Sequence, residues 1–212
     1  MIGKSNKGAN VLKIILITVI VAIFLMSMIA CSKVSEKRDV SGFDKVTLAG
    51  EGDLIIEQGT TESLTIEAQA SVMEFIETTV SDGTLSICIP DKEGRPRSLG
   101  GVKYYLKVKD LDGITAFGSG DISSSDFVTD KITITIGGSG TITLSGEATS
   151  QEIEINGSGR YSAKDFETSE CTVKINGSGR ADVNVSDNLD ITINGNGKVN
   201  YDGDPSVRRT QN

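Results

Sequence analysis

A short glycine pattern recurs five times between residues 117 and 203 and limits the folds open to this chain. Four copies read Gly-Ser-Gly and the last reads Gly-Asn-Gly. The first glycines are Gly118, Gly138, Gly157, Gly177 and Gly195, which gives steps of 20, 19, 20 and 18 residues. An internal repeat of this length is typical of solenoids, in which each repeat forms one coil.

Apolar and polar residues alternate before each glycine pair. This period of two predicts half-buried strands. The inward columns contain Ile114, Ile134, Ile153, Val173 and Ile191, and then Ala116, Ile136, Ile155, Ile175 and Ile193. Each Gly-Ser-Gly or Gly-Asn-Gly unit is a sharp turn of the coil, which we call a corner. A second strand follows each corner, with the inward column Ile122, Ile142, Tyr161, Ala181 and Val199. We therefore predict an all-β, single-stranded parallel β-helix with about 20 residues per coil.

The corners explain the choice of small residues. Glycine adopts positive φ without a Cβ clash, and successive coils stack at about 4.8 Å. We expect Asn156, Asn176 and Asn194, each next to a corner, to form a ladder of amide hydrogen bonds. The alternative is a β-sandwich of hairpins, but hairpins do not require an identical corner at a constant spacing.

The half of the domain before residue 117 is less regular. Strands are expected at 46–48, 54–56, 64–68, 85–89 and 102–108, with an Asp-Gly hairpin turn at Asp82-Gly83. The spacing of Val72, Phe75 and Ile76 predicts one or two helical turns that cap the end of the coil. Residues 90–101 contain two of the three prolines and are predicted to form an exposed, flexible loop.

The first thirty residues have the pattern of an export signal. Three lysines precede an apolar run from Ile14 to Met26, and Met28-Ile29-Ala30-Cys31 resembles a bacterial lipobox. We predict a lipoprotein signal peptide over 1–30, lipidation of Cys31, a tether over 31–37, one β-helix domain over 38–205 and a disordered tail over 206–212. An uncleaved transmembrane anchor is the alternative, since 14–30 is at the short limit of a membrane span.

The remaining cysteines are expected to stay apart. Cys171 lies in the inward column and Cys88 is expected to face outward, so a disulfide between them is disfavoured. The chain has no histidine and a net charge of −8, and the part after residue 30 carries 18 basic against 29 acidic residues. This acidic body argues against nucleic-acid binding.

The residues resemble a known family. Arg38–Val46, the corner Gly50-Glu-Gly-Asp53, Asp82–Leu85 and the repeated Gly-Ser-Gly units are similar to the head-GIN family of bacterial exported domains, described as auto-transporter adhesins. The resemblance covers about 38–205. It implies a right-handed β-helix and a surface protein, and it supplies no catalytic residues.

Known chemical motifs do not fit the repeats. A phosphate loop needs a helix after the glycines, and here strands follow. Calcium-binding nonapeptide repeats need an aspartate where this chain has Ile122, Ile142 and Tyr161. Without histidine, a zinc site or a Ser-His-Asp triad is not expected, and we predict no catalytic residues, metal or cofactor.

One column next to the corners is a candidate ligand contact. It comprises Asp121, Thr141, Arg160, Arg180 and Lys198, and its last three members would place like charges about 4.8 Å apart. A solvated row is the simpler interpretation, and Asp182 could neutralise part of it. The functional interpretation is a contact with an anion or an acidic glycan. A nearby array of Thr133, Thr135, Thr141 and Thr143 is interrupted by Glu152 and Glu154, and we interpret it as ordinary strand surface.

The sequence thus favours a non-enzymatic, membrane-tethered surface protein for adhesion or envelope interactions, with a glycan or protein as partner. The alternative is a polysaccharide-acting β-helix enzyme or a carbohydrate-binding module. The enzyme would need two acidic groups within about 10 Å of each other in a groove. A sensor or accessory subunit of an envelope signalling system is a third hypothesis.

Overall fold

The computed structural model describes residues 33–97 and 99–212, and this part of the chain is almost entirely β-structure. Stacked parallel strands form a β-solenoid of about five turns, with about 20 residues per turn. The predicted fold class is therefore confirmed. The predicted signal peptide and Cys31 lie outside the described residues.

The regular coils are built from long strands that run from one glycine corner to the next. They are β8 (Gly113–Gly118), β9 (Asp121–Ile136), β10 (Thr141–Gly157), β11 (Arg160–Gly177), β12 (Arg180–Gly195) and β13 (Lys198–Asp202). Neighbouring strands in this series pair in parallel. The pairing aligns Ile134 with Ile153, then with Val173 and Ile191, and all four are buried. The predicted isoleucine columns form the core.

Stacking explains the glycines at the corners. Gly177 has φ of +134°, and a Cβ there would lie 2.5 Å from the carbonyl oxygen of Gly157 in the coil below. Only glycine fits this position, because both the backbone conformation and the space exclude a side chain. The predicted asparagine ladder is also present. Asn176 Nδ2 donates to Asn156 Oδ1 over 2.7 Å, Asn194 Nδ2 donates to Asn176 Oδ1 over 2.8 Å, and Asn212 extends the ladder.

The first half is irregular, as predicted. Its elements are β1 (Lys33–Arg38), β2 (Lys45–Gly50), β3 (Asp53–Gln58), β4 (Ser63–Gln69), α1 (Ala70–Met73), β5 (Glu77–Ser81), β6 (Thr84–Cys88) and β7 (Lys103–Val108). β2, β3, β6 and β7 continue the parallel stack, whereas β1, β4 and β5 add antiparallel strands. The hairpin turn at Asp82-Gly83 has positive φ at both residues, as its sequence predicts.

The N-terminal end of the solenoid is covered by these antiparallel strands and by α1. The helical turn packs against β4 and β1, and Val72, Met73 and Ile76 are buried with the core. The predicted helical segment is confirmed, although it is only one turn long. Residues 90–97 and 99–101 form the predicted loop between β6 and β7, and Leu99 anchors it in the core.

The predicted flexible tether over 31–37 is wrong from Lys33 onward. β1 pairs antiparallel with β4, from Lys33 opposite Gln69 to Arg38 opposite Leu64. The side chains of β1 are largely exposed, so no apolar alternation reveals the strand in the sequence. Main-chain hydrogen bonds to β4 hold the strand in place, and they do not depend on side-chain type.

The predicted disordered tail is also wrong. β14 (Ser206–Gln211) pairs in parallel with β12, and its six side chains are exposed. Arg208 Nε and Nη2 donate to the two carboxylate oxygens of Asp190 over 2.7 and 2.8 Å. A bidentate pair of this kind adds geometric specificity to the main-chain pairing.

A polar network crosses the core between two corners. Tyr161 Oη donates to Gln151 Oε1 over 3.0 Å, Gln151 Nε2 donates to Thr168 Oγ1 over 2.8 Å, and Thr168 Oγ1 donates to the carbonyl of Asn184 over 3.3 Å. Burial raises the pKa of Tyr161 well above its usual value, with a further contribution from nearby Cys171. Each member of the network is buried and bonded, which avoids the cost of unsatisfied polar groups in the core.

Candidate functional site

The corner column selected from the sequence lies on one outward face of the solenoid. Thr141 aligns with Arg160, Arg160 with Arg180, and Arg180 with Lys198. Asp121 begins the same column, since its neighbour Ile122 aligns with Ile142. We call these five residues the corner column. The register brings its three basic residues onto successive coils, about 4.8 Å apart.

Arg160 is neutralised within the chain. Its guanidinium lies 3.7 Å from the carboxylate of Asp182, which also accepts a 2.5 Å hydrogen bond from Asn200 Nδ2. The carboxylate is only about a tenth exposed, and the contacts from Arg160 and Asn200 offset the cost of its burial. Asp182 therefore relieves part of the repulsion along the column.

Arg180 and Lys198 carry the uncompensated charge. Among the described residues, neither side chain forms an ion pair. Arg180 is half-buried and Lys198 is exposed. Two adjacent cations of this kind create a local positive potential on an acidic protein, which suits an anionic ligand.

Asp121 forms a side-chain contact with the main chain of the next coil. Its Oδ1 accepts a 2.9 Å hydrogen bond from the backbone N–H of Thr141. At the corresponding positions of later coils, the N–H of Arg160 and that of Arg180 donate to glycine carbonyls. The carboxylate thus replaces a main-chain acceptor at one corner.

A second column on the same face was missed by the sequence analysis. It lies two residues further along each strand and aligns Tyr105, Ile55, Ser123, Thr143, Ser162 and Asp182. The middle of this column lines a groove of about 410 Å³, next to Lys164 and Asp165. Tyr105 is 38% exposed, and its hydroxyl donates to Glu67 over 3.3 Å. The sequence signal for this second column was a polar residue two positions after each member of the corner column.

An acidic groove of about 650 Å³ lies at another corner of the solenoid. Its carboxylates are Asp130, Glu147, Glu167 and Asp204, and its floor includes Ala148 and Val185. Glu147 aligns with Glu167 on the next coil. The sequence analysis did not find this pair, because register shifts at Thr143/Ser145 and Ala163/Glu167 interrupt the repeat before it.

The threonine array lies as expected from the strand register. Thr133 aligns with Glu152, and Thr135 aligns with Glu154. Lys174 Nζ donates to Glu154 over 3.0 Å, and this hydrogen bond lowers the pKa of Glu154. The array is thus bounded by charged side chains.

The two described cysteines are separate free thiols. Cys171 is buried in the core, as predicted, and burial raises its pKa to about 12. Cys88 is half-buried, between the inward residues Ile87 and Ile89. In residues 33–97 and 99–212, no three cysteine or acidic side chains converge in a way that could hold a metal ion.

Solved structures share the fold. A crystal structure from Bacteroides fragilis NCTC 9343, described as a "putative adhesin", superposes with a TM-score of 0.61 and 20% identity, covering 85% of this chain and 98% of that one. A "putative lipid binding protein" from Parabacteroides distasonis ATCC 8503 gives a TM-score of 0.56 and 22% identity, covering 85% and 94%. At these identities the likeness establishes the fold alone.

A search of curated proteins finds no matching relative. Within the described ranges, we find no helix whose length and apolarity would carry it through a bilayer. The family described as "Putative auto-transporter adhesin, head GIN domain" matches residues 42–205, which is most of the sequence and all of its regular coils. On this match, the chain belongs to the head GIN domain family.

Proposed function

We propose that this protein is an exported lipoprotein, anchored through Cys31, whose solenoid contacts anionic glycans of cell envelopes. The leader pattern and Cys31 support export and anchoring. The family description supports an adhesive, surface-exposed role rather than catalysis. The observation that carries the ligand class is the register of Arg180 and Lys198, two neighbouring cations without an acidic partner among the described residues.

The geometry of the face suits a linear polymer. Ligand groups that repeat along the solenoid axis would meet Arg180 and Lys198 on two successive coils, at a spacing of about 4.8 Å. The adjacent hydroxyls of Ser123, Thr143 and Ser162 offer hydrogen bonds to sugar hydroxyls, and Tyr105 offers an exposed ring. This combination favours an acidic polysaccharide over a single small anion.

The ligand is tested by binding of the full chain, in non-ionic detergent, to polygalacturonate and to neutral dextran. The double variant Arg180→Gln with Lys198→Gln is expected to bind polygalacturonate about tenfold more weakly, because each lost charge contact is worth about 0.5–1 kcal/mol. Lys131→Gln is the matched control, since Lys131 is exposed on another face. Equal binding of both glycans, or an unchanged double variant, would count against the proposal.

The anchor is tested by metabolic labelling with palmitate. Wild type is expected to incorporate label and to remain with the membrane fraction, whereas Cys31→Ala should incorporate none. Label-free wild type that still sediments with membranes would favour the uncleaved transmembrane segment.

A polysaccharide-acting enzyme is the second candidate, and the acidic groove is the observation that favours it. Glu147 and Glu167 lie on neighbouring coils, and a pair of close carboxylates is what glycoside hydrolysis requires. The same glycan samples can be assayed for new reducing ends. Cleavage that Glu147→Gln abolishes, with binding retained, would favour the enzyme.

A further inference from the structure

The C-terminal end of the solenoid differs from the rest of the core. β13 and β14 form the last coil, and each pairs only with β12 among the described strands. Tyr201 aligns with buried Val183, and Val207 aligns with buried Leu189, so both continue inward columns. Nevertheless, Tyr201 is 46% exposed and Val207 is 43% exposed. In the preceding coils, the corresponding residues of these two columns are covered by the next strand of the stack.

The opposite end has a cover of its own. β1, β4 and β5 pair antiparallel there, and α1 closes the core with Val72 and Met73. An uncovered strand edge next to exposed apolar side chains favours pairing with another chain. Among the described strands, β13 is therefore an uncovered edge to which another chain can pair.

The sequence of β13 is complementary to itself. The strand reads Lys198-Val-Asn-Tyr-Asp202. If two copies pair antiparallel about a two-fold axis at Asn200, Lys198 of each copy meets Asp202 of the other. Val199 then meets Tyr201 twice, and the two Asn200 side chains meet on the axis. Opposite charges and aromatic–aliphatic pairs directly across two strands are each favourable.

The charges on and beside β13 are compatible with this pairing, whereas Arg209 on β14 continues the Ile191 column and has no ion pair among the described residues. Arg208 on β14 is neutralised by Asp190 within its own chain. Asp202 lies 3.9 Å from Lys164, a loose and exposed contact that leaves its second oxygen available. Antiparallel pairing about a perpendicular two-fold axis also keeps inward residues opposite inward residues. The inward residues Val199 and Tyr201 of the two copies would therefore meet end to end.

We propose that a second copy of the same chain is a further partner of this protein, bound through β13 at the end of the solenoid. The contact is isologous, so it closes as a dimer. In the sheet order, β1 and β13 are eight strand steps apart, or about 40 Å at 4.8 Å per step. An end-to-end pair places the two copies of Lys33, where β1 begins, at opposite ends. This role rests on the proposed function: with each copy held by the Cys31 anchor, the pair would join two membranes and give homophilic adhesion.

The test uses full-length protein reconstituted in phosphatidylcholine vesicles of two colours. Wild-type vesicles are expected to cluster. Lys198→Asp or Asp202→Lys alone should weaken pairing about tenfold, because symmetry turns two attractive pairs into two repulsive ones. Vesicles with Lys198→Asp mixed with vesicles with Asp202→Lys should cluster across colours, since both cross-strand pairs become complementary again. Lys131→Asp is the control on another face and should cluster like wild type.

Sedimentation of the full chain in detergent separates the pairing from the anchor. Dimers in detergent with the same charge-swap pattern, but without vesicle clustering, would support the β13 contact and contradict the anchored, membrane-bridging role. Monomers at all concentrations without clustering would overturn the proposal. Clustering that the two single variants leave unchanged would overturn it as well, because the contact would then lie elsewhere.

Discussion

Two buried tyrosines on one inward column allow a direct test of how polar groups stabilise this core. Tyr104 and Tyr161 are both fully buried, and the register places both in the column that contains Leu54, Ile122 and Ile142. The hydroxyl of Tyr161 donates to Gln151, whereas that of Tyr104 has no hydrogen-bond partner among the described residues. Replacement by phenylalanine at these two positions should therefore change the free energy of unfolding in opposite directions.

Tyr161→Phe is expected to lower the free energy of unfolding by about 1–3 kcal/mol, because Gln151 Oε1 is left buried without a donor. Tyr104→Phe removes a hydroxyl that is buried without a bond, so it should raise the free energy of unfolding by about 1 kcal/mol. The two variants should thus differ by at least about 2 kcal/mol.

The measurement is urea unfolding of the full chain in non-ionic detergent, followed by far-ultraviolet circular dichroism. A shift of the midpoint at constant slope reports stability rather than a change in the unfolded state. Equal destabilisation by both variants would refute the reasoning, since it would mean that the Tyr104 hydroxyl is bonded in solution. An unchanged midpoint for Tyr161→Phe would show that the network contributes nothing.

A double-mutant cycle with Gln151→Leu measures the Tyr161–Gln151 contact itself. Each single variant leaves one buried polar partner unsatisfied, whereas the double variant removes both. The double variant should therefore cost less than the sum of the singles, with a coupling energy of about 0.5–3 kcal/mol. Strict additivity would contradict a direct bond.

Two further predictions concern the corners and the core thiol. Gly177→Ala should destabilise the protein by at least about 2 kcal/mol, because the new Cβ meets the Gly157 carbonyl and φ is +134°, whereas exposed Ser178→Ala should have no effect in the same urea assay. Burial raises the pKa of Cys171 from 9.0 to about 12, so above pH 9 the unfolded chain loses a proton that the folded chain keeps, and stability falls as pH rises. Between pH 9 and 10 the free energy of unfolding should fall by about 1 kcal/mol, and Cys171→Val should flatten that slope. An identical slope in wild type and variant would contradict a buried, neutral thiol.

The candidate site shows which residues can be located from the periodicity of the sequence and which cannot. The corner column could be predicted because each of its residues follows a glycine corner, and the corners stack in register. The acidic groove could not be predicted, because the register shifts before Glu147 and Glu167 displace them from any constant position in the repeat. The neutralisation of Arg160 by Asp182 involves two coils and two columns, so it depends on side-chain packing as well as on register.

The sequence alone determined the coil. Glycine corners every 18–20 residues, with alternating isoleucines between them, allow few arrangements other than parallel stacking, because a one-residue slip would expose every isoleucine. Only the tertiary structure decided the ends and the interior polar contacts. β1 and β14 are held by main-chain hydrogen bonds that carry no side-chain pattern, and Gln151 meets Tyr161 and Thr168 only when the coil closes. Local pattern specifies what repeats, whereas the unique contacts arise from distant segments that the fold brings together.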